Sequence, residues 1–127
     1  MVQSFEIAVF EGDGIGPEIT APTLRILEAM AKSQQDYQLA FTQAPAGAAL
    51  YAETGESLPS ASMEIARRAD AIVLAAMGLP SVRYKDGTEI SPQLDLRIEL
   101  DLFAGVRPVR VVPGQPTPLK LADGQTI

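Results

Sequence analysis

Three short apolar runs stand out along the chain, each followed within two residues by glycine or proline. They cover residues 5–10 (FEIAVF), 37–44 (YQLAFTQA) and 71–77 (AIVLAAM). Runs of this length that end at turn-forming residues are typical of buried β-strands. The third run is continuously apolar, as expected of a parallel strand that is covered on both faces.

Helical patterns fill the intervals between these runs. Pro17 suits the first turn of a helix, where its missing N–H costs nothing. The apolar positions that follow fall on one helical face: Ile19, Ile26, Leu27 and Met30. Pro22 predicts either a kink in this helix or a later start.

Two shorter helices complete the pattern. A small-residue helix is expected over residues 47–53 with Gly55 as its C-cap, and Ser60 is the expected N-cap of a helix that runs to about Arg68. Strand, helix, strand, helix and strand in this order predict an α/β fold, with a parallel-type sheet and flanking helices. The core candidates in this part of the chain are Leu58, Met63, Ile65, Ile72 and Leu74.

Two later segments are harder to assign. Residues 78–92 contain Gly, Pro and charged residues, so we expect a loop with a small hairpin at Asp86-Gly87. In residues 94–102, Leu and Ile alternate strictly with charged residues, which is the period of a strand. Read as a helix, the same segment would pair Arg97 with Asp101 at (i, i+4). Periodicity alone favours the strand.

Composition excludes several function classes. The chain has 127 residues, 46% of them hydrophobic and 20% charged, which is typical of one globular domain. A net charge of −6 with no basic patch argues against nucleic acid as a partner. The absence of Cys and His excludes disulfides, thiolate metal sites and a histidine general base. No apolar run approaches the ~20 residues that a membrane span needs, so the cytoplasm is the expected compartment.

A glycine cluster follows the first strand. Gly12, Gly14 and Gly16 invite comparison with a dinucleotide-binding loop, but Pro17 interrupts the G-x-G-x-x-G pattern and the acidic residue expected after a second strand is missing. A tight strand-to-helix turn with positive φ is the better interpretation. Asp13, just before the helix, is more typical of a residue that caps amide groups than of a metal ligand or base.

Two arginines, Arg97 and Arg107, lie in the largely apolar segment DLRIELDLFAGVR at residues 95–107. A guanidinium among apolar neighbours is costly to bury unless it binds an anion, and Arg is suited to gripping carboxylates with two parallel hydrogen bonds. A small polycarboxylate ligand would satisfy both. The ordinary alternative is surface ion pairing with Asp95, Glu99 or Asp101, and the residues alone rank that alternative first.

Three segments resemble a known family. The turn GDGIGPEI (residues 12–19), the strand ADAIVLAAMG (69–78) and above all LDLRIELDLFAGVRPVR (94–110) are similar to the N-terminal portion of the isocitrate and isopropylmalate dehydrogenases. These are metal-dependent β-decarboxylating dehydrogenases, and the isopropylmalate and tartrate types are the most similar. The resemblance covers essentially the whole chain, and the spacing of Arg, Asp-Leu-Phe-Ala and Val-Arg-Pro is its most specific part.

The resemblance implies a fold that is not of the Rossmann type. It implies a helix from residue 94 to about 103, against the local period, and entry into a strand over residues 105–112. Residues 1–104 would form the first segment of a large α/β domain, and residues 105–127 would begin a second, dimerisation domain. The chain would then be an incomplete part of the fold, which exposes apolar edges and is inactive alone.

Site residues follow from the positions that match the family. Arg97 and Arg107 match arginines that hold the carboxylates of a hydroxy-acid substrate. Ser91, Gln93 and Leu94 fall where family members select the variable group of the substrate and border the nicotinamide. No catalytic residue and no metal ligand are assigned within the chain.

The resemblance also implies NAD and Mg²⁺ or Mn²⁺ as cofactors. Ile15 matches a residue near the dinucleotide. The metal ligands, a third substrate arginine and the catalytic Tyr and Lys lie further along in family members than Ile127. Such enzymes are homodimers that act on small hydroxy acids, with no nucleic acid or membrane partner.

The implied reaction is the NAD-dependent oxidative decarboxylation of a 2-hydroxy polycarboxylic acid, nominally 3-isopropylmalate. Isopropylmalate enzymes tend to place apolar residues at the start of the helix, whereas this chain has Gln93 beside Leu94 and a hydroxyl at Ser91. A half-polar pocket suits a tartrate-, malate- or isocitrate-type member of the family. A non-catalytic anion-binding fragment is the alternative from another class.

Overall fold

A small parallel sheet with β1 at its centre organises the chain. The computed structural model describes residues 2–110, 112, 114, 120, 122 and 125. Its strands are β1 (Gln3–Phe10), β2 (Tyr37–Gln43) and β3 (Ala71–Leu74), in the order β2-β1-β3. Both neighbours run parallel to β1, with Ile7 opposite Phe41 on one side and opposite Ala71 on the other. This arrangement confirms the predicted α/β fold.

Four helices connect and flank these strands: α1 (Gly16–Gln34), α2 (Ala48–Thr54), α3 (Ser60–Arg68) and α4 (Pro92–Glu99). Each begins or ends close to where the sequence predicted it. Pro17 occupies the first turn of α1, and Gly55 caps α2 in the left-handed conformation with φ of 83°. Within the described part of the chain, no helix is both long and apolar enough to cross a membrane.

The core lies around the carboxyl half of β1, which is buried on both faces. Because side chains alternate along a strand, Ala8 and Phe10 point to one face and Ile7 and Val9 to the other. Ala8 and Phe10 form one apolar cluster with residues of the neighbouring elements: Ala44, Ala46, Ala66 and Leu96. Leu58, Met63, Ile65 and Ile72 pack against this cluster and are partly buried, as predicted.

Strand β3 departs from its prediction in two ways. It ends at Leu74 rather than at residue 77, and none of its four residues is fully buried, so it is not covered on both faces. Leu74, predicted to be in the core, is 43% exposed. Apolar composition marked the run correctly, but composition does not say on how many sides a strand has neighbours.

Two helix predictions also need correction. Ser60 is the first residue of α3 and not its N-cap, because Pro59 takes that place and its carbonyl accepts the amides of Ser62 and Met63. Pro22 does not delay the start of α1, which is helical from residue 16 to residue 34, so the later start is wrong and the kink stays a prediction. The carbonyl that Pro22 leaves without a donor belongs to Glu18, and both residues are exposed, so water can replace the lost bond. The predicted apolar face of α1 exists, but Ile19, Ile26 and Met30 are exposed on it.

The ambiguous segment is a helix, as the resemblance implied and the local period did not. Pro92, Leu96 and Leu100 are one turn apart; the first two are buried and the third is partly buried. Leu94 and Ile98 lie between them in sequence and are exposed. The alternating residues therefore divide between two faces of α4, and only one of these faces meets the core.

Helix α4 ends earlier than predicted, at Glu99. Asp101 has φ of 52°, and the amides of Asp101 and Leu102 donate to the carbonyls of Ile98 and Arg97 at 3.2 and 2.9 Å. This is a Schellman motif, which ends a helix by reversing the chain direction. Because Asp101 lies beyond the helix, the (i, i+4) ion pair between Arg97 and Asp101 does not form.

The segment after α4 is not a strand where the structure describes it. Residues 105–110 and 112 are in irregular, exposed conformation. Residue 111 of the predicted strand lies outside the described residues, as does most of 113–127. The division of the chain into two domains at residue 104 therefore stays a prediction.

Candidate functional site

The carboxyl edge of the sheet brings the glycine turn after β1 against the segment after β3. The Asp13 amide donates to the Ala76 carbonyl at 2.9 Å, and the Ala75 amide donates to the Phe10 carbonyl at 2.9 Å. Since parallel strands end at the same edge, loops that are distant in sequence become neighbours there. This edge is where open α/β proteins bind ligands.

Asp13 holds three chain segments together at this edge. Its side chain is 4% exposed and accepts the amides of Ala48 at 2.6 Å, Ala49 at 2.8 Å and Gly78 at 3.0 Å. The first two amides are the start of α2, so the carboxylate lies where a helix N-terminus favours negative charge. The prediction that Asp13 caps amides is correct, but the helix it caps is α2 rather than the adjacent α1.

Glycine is required at two positions near Asp13, because other chain segments approach the backbone closely there. Gly12 has φ of 69°, and a Cβ there would collide with the Ala76 carbonyl oxygen and with Met77. Gly47 has φ of 131°, and a Cβ there would collide with the carboxylate of Asp13. The interpretation as a tight turn, rather than as a dinucleotide-binding loop, agrees with this geometry.

We call the place where Asp13 joins its own turn, the start of α2 and Gly78 the Asp13 junction. A cavity of about 230 Å³ adjoins it. Its walls come from the segment after β3, which includes Met77 and Gly78, from Glu89 and Ile90, and from Gln93 on the first turn of α4. Leu79 also lines it and lies 4.0 Å from where a Cβ of Gly14 would be, so the glycine turn borders the same wall. The structure thus brings the glycine turn and the start of α4 to one place.

Gln93 borders this cavity and carries an unsatisfied polar group. Its Oε1 is buried and has no hydrogen-bond partner among the described residues. A buried polar atom without a partner costs about 1–3 kcal/mol, so such an atom calls for an explanation. Gln93 was predicted as a substrate residue, and its burial beside a cavity is compatible with that role without testing it.

Ser91 and Leu94 flank Gln93 in different environments. Ser91 is the N-cap residue of α4, yet its hydroxyl makes no capping hydrogen bond, and only its carbonyl accepts the Leu94 amide at 2.9 Å. This hydroxyl is therefore available to a ligand. Leu94 is 48% exposed and does not line the cavity.

The loop that supplies one wall of the cavity is a hairpin, as predicted. Arg83 and Glu89 form an antiparallel bridge, and their side chains pair at 3.3 Å. Tyr84 anchors this hairpin to α2 and the segment that follows it. Its hydroxyl lies 2.8 Å from the Ser57 hydroxyl, and its ring packs edge-on against Tyr51 with 5.1 Å between the ring centroids. At the tip, hydrogen bonds from the Thr88 amide and hydroxyl lower the pKa of Asp86 below its usual value.

Arg97 and Arg107 lie on the surface beyond the cavity. Arg97 is in the last turn of α4, one turn after Gln93, and Arg107 follows on the irregular segment; both are exposed. Neither forms an ion pair with a carboxylate of a described residue. Glu99, one of the carboxylates expected to pair with these arginines, pairs with Arg67 at 2.9 Å instead. The structure gives Arg97 a place near Gln93 by helical spacing, but it does not join Arg107 to the cavity.

Ile15 lies on the glycine turn and is 62% exposed. This leaves an apolar side chain free for a flat, apolar ligand ring at the carboxyl edge. In the part of the chain that is described, no cluster of three His, Cys, Asp or Glu residues could hold a metal ion. The described residues therefore do not form a metal site by themselves.

The comparisons with known proteins agree with this architecture. Residues 6–126 match the family model of the isocitrate/isopropylmalate dehydrogenases. The chain is 41% identical to a 3-isopropylmalate dehydrogenase of a Synechococcus species over 86% of its length, and 40% identical to that of Trichormus variabilis over all of it. The crystal structure of a β-decarboxylating dehydrogenase from Thermococcus kodakarensis, in its apo form, superimposes with a TM-score of 0.63 at 32% identity and covers 77% of this chain.

These matches place the chain in a family of dehydrogenases. The chain belongs to the isocitrate/isopropylmalate dehydrogenase family, and its fold is of that kind. It spans about a third of the length of the relatives, 31% and 34% of the two dehydrogenases above, and 27% of the Thermococcus chain. The resemblance predicted from the glycine turn and the arginine segment is confirmed.

Two features of the site were not predicted from the sequence. Gly78 and Glu89 contribute to the site through long-range contacts, since Gly78 donates to Asp13 and Glu89 lines the cavity. The only signal for Gly78 was its place directly after the third apolar run, at the carboxyl edge. Glu89 carried no signal, because a charged residue in a polar loop is ordinarily solvated.

Proposed function

We propose that the full-length protein is an NAD-dependent β-decarboxylating dehydrogenase that oxidises a 2-hydroxy polycarboxylic acid of the 3-isopropylmalate type. Membership of the family and relatives named as 3-isopropylmalate dehydrogenases support this proposal. In it, the present segment supplies groups that bind the substrate, and Ile15 contacts the cofactor. The cytoplasm and a homodimer are the expected setting.

One observation carries the role of the arginines. Arg97 and Arg107 are exposed and without ion-pair partners among the described residues, while the neighbouring Glu99 is bound to Arg67. A free guanidinium offers two parallel N–H groups to a carboxylate, and such charge-assisted bonds are stronger than neutral ones. Two such groups can hold the carboxylates of one hydroxy acid and orient its C2 atom.

The chemistry assigns these residues a positioning task. NAD⁺, which Ile15 would contact, would serve as the acceptor of the C2 hydride when bound. Oxidation of C2 gives a β-keto acid, whose loss of CO₂ leaves an enolate that must be protonated. Arg97 and Arg107 would hold the carboxylates during these steps, while Ser91 and Gln93 would contact the variable group at C3.

A direct assay of the full-length protein tests this proposal. We expect NADH to form with Mn²⁺ and at least one of isopropylmalate, isocitrate, malate and tartrate, with one CO₂ released per NADH where the product decarboxylates. NADP⁺ in place of NAD⁺ should give a lower rate. Anion binding without turnover of any of the four acids would instead support the anion-binding alternative and refute the dehydrogenase.

A further inference from the structure

The hairpin at residues 83–89 forms one wall of the cavity at the carboxyl edge. Val82, just before its first arm, and Glu89, at the end of its second arm, both line the cavity of about 230 Å³. The chain is fixed on either side of the hairpin, because the Gly78 amide donates to the buried carboxylate of the junction at 3.0 Å and Ile90 is 3% exposed. The position of the hairpin between these two points therefore sets the width of the cavity.

The hairpin keeps its shape through its own hydrogen bonds. The Tyr84 amide donates to the Thr88 carbonyl at 3.0 Å, and the Gly87 amide donates to the Tyr84 carbonyl at 2.9 Å. Across the two arms, the side chains of Arg83 and Glu89 pair at 3.3 Å. Among the described residues, every hydrogen bond of the hairpin is internal except the one made by the Tyr84 hydroxyl. The hairpin can therefore move as a unit once that hydroxyl is released.

The Tyr84 hydroxyl joins the hairpin to the segment after α2. It lies 2.8 Å from the Ser57 hydroxyl in a partly buried place, and the Tyr84 ring packs edge-on against Tyr51. The segment that carries Ser57 is itself held in place, because the Ser57 carbonyl accepts the Gly47 amide at 2.8 Å. The amide that follows Gly47 donates in turn to the Asp13 carboxylate at 2.6 Å. The two hydroxyls therefore tie a wall that can move to a support that is fixed.

A bond between two neutral hydroxyls is strong enough to matter and weak enough to open. Loss of one neutral hydrogen bond shifts an opening equilibrium by a factor of about 2 to 10. Because the hairpin has no other hydrogen bond to described residues outside it, this shift should appear as movement of the wall away from the cavity. A ligand that needs the closed wall then binds more weakly, in proportion to the fraction of molecules that are closed.

We propose that Tyr84 is a positioning residue, which acts through its hydrogen bond with Ser57 to hold the hairpin closed against the cavity and so raises the affinity for the hydroxy acid. This inference rests on the proposed function. The cavity reaches Gln93, one turn before Arg97 on α4, so the closed wall borders the ligand that Arg97 would hold. Tyr84 contacts none of the reacting atoms, and its loss should therefore affect binding more than the chemical step.

The test removes either hydroxyl in the full-length enzyme, assayed on its best substrate among isopropylmalate, isocitrate, malate and tartrate. Tyr84→Phe keeps the ring against Tyr51, and Ser57→Ala removes the other partner. We expect each variant to raise KM for the hydroxy acid by about 3- to 10-fold and to change kcat by less than about 2-fold. The double variant should behave like either single one, because all three lack the same bond. Ser57→Thr keeps a hydroxyl and should retain the wild-type KM.

Tryptic cleavage of the hairpin gives a readout that needs no turnover. Arg83 and Lys85 flank Tyr84 and are exposed, and the cleavage rate there follows the population of open hairpin when opening is fast. Cleavage should accelerate in Tyr84→Phe and in Ser57→Ala, and it should slow when the same hydroxy acid is bound. Tyr37→Phe is the matched control: this tyrosine is half-buried at the start of β2, packs edge-on against Phe5 and should change neither KM nor cleavage.

The outcomes separate this inference from the function on which it rests. A wild-type KM and a wild-type cleavage rate in Tyr84→Phe would overturn the positioning role and leave the dehydrogenase standing. A fall in kcat together with the unfolding midpoint, at unchanged KM, would also overturn it, because that result would show a purely structural role. Failure of the wild type to turn over any of the four acids would refute the proposed function, and the cleavage rates would then decide alone whether the hydroxyl pair holds the hairpin.

Discussion

The Asp13 junction and the arginine segment lie in the same protein but are built in opposite ways. At the junction, the carboxylate is buried and all its hydrogen bonds come from the chain's own amides. Along the arginine segment, Arg97 and Arg107 are exposed without a carboxylate partner among the described residues, and Phe103 beside them is 89% exposed. The first region satisfies its polar groups internally, whereas the second presents charge and apolar surface outward.

This difference indicates that the junction holds the site in place, whereas the arginine segment is free to contact a ligand. A junction that is fully hydrogen-bonded fixes the positions of three segments before any ligand arrives, which is the condition for a preorganised site. A cationic surface without internal partners is solvated by water until an anion replaces that water. Mutations in the two regions should therefore affect different quantities: stability at the junction, and ligand binding along the arginine segment.

Removal of the Asp13 carboxylate should have the largest effect. Asp13→Ala deprives three amides of their acceptor, and hydrogen bonds to charged groups contribute about 1.5–3 kcal/mol each, so the free energy of unfolding should fall by about 4.5 kcal/mol or more. Chemical denaturation of the full-length protein measures this change. Asp13→Asn retains one acceptor oxygen, so its free energy of unfolding should lie between those of the wild type and Asp13→Ala.

Glu18→Ala is the matched control for that prediction. Glu18 is an exposed acidic residue in the first turn of α1, where a negative charge contributes only about 0.3–1 kcal/mol through the helix dipole. If Asp13→Ala and Glu18→Ala lowered stability equally, the junction would not depend on the buried carboxylate.

Replacement of Arg97 by Lys should affect catalysis and spare stability. Lys keeps the charge but cannot form two parallel bonds to a carboxylate, so kcat/KM of the full-length enzyme should fall by about 10- to 100-fold. Because Arg97 is exposed and makes no internal ion pair, the free energy of unfolding should change by less than about 0.5 kcal/mol. Steady-state kinetics and denaturation on the same preparations measure both.

Arg25→Lys provides the comparison for Arg97→Lys. Arg25 is exposed on α1, away from the carboxyl edge, and its replacement should change neither kcat/KM nor stability. An Arg97→Lys enzyme with wild-type kcat/KM would show that Arg97 does not bind the substrate. A large loss of stability in that variant would instead show a structural role.

The smallest effect concerns the tip of the hairpin. The Thr88 amide and hydroxyl lower the pKa of Asp86, so the turn is held most firmly when this carboxylate is ionised. The contribution is therefore present above the usual pKa of an aspartate and is lost as the pH falls through the lowered value. The Thr88 amide resonance should report this titration in an NMR pH series.

Thr88→Val tests the cause of the Asp86 shift. The variant removes the hydroxyl bond and keeps the amide bond, so the pKa of Asp86 should rise towards its usual value. A titration midpoint that is the same in both proteins would contradict the assignment. Because Asp86 is exposed, activity and global stability should not change measurably.

The sequence predicted local structure well where one strong local signal decided it. The apolar run of β1, Pro17 at the start of α1 and Gly55 at the end of α2 were all placed correctly. These signals depend on the chain's own backbone geometry and need no information on neighbours. The family was likewise evident from the spacing of its arginine segment.

The misses involve contacts between distant residues. The incomplete burial of β3, the partner of Asp13 and the unpaired state of Gln93 depend on which segments meet, and no local pattern encodes this. The period of two in residues 94–102 misled because a helix can place alternate leucines on two separate faces. The roles of Ser91, Gln93, Leu94, Arg97, Arg107 and Ile15 remain predictions until the assays are done.

The face division of α4 has a consequence for how substrate preference can evolve. Pro92 and Leu96 anchor the helix to the core, while Gln93 and Arg97 leave it on another side. One nucleotide change at position 93 can therefore alter the chemistry offered to a ligand without disturbing the residues that hold the helix. A lineage that carries this helix can change the side chain offered to a ligand in single steps, with the fold and Arg97 inherited unchanged.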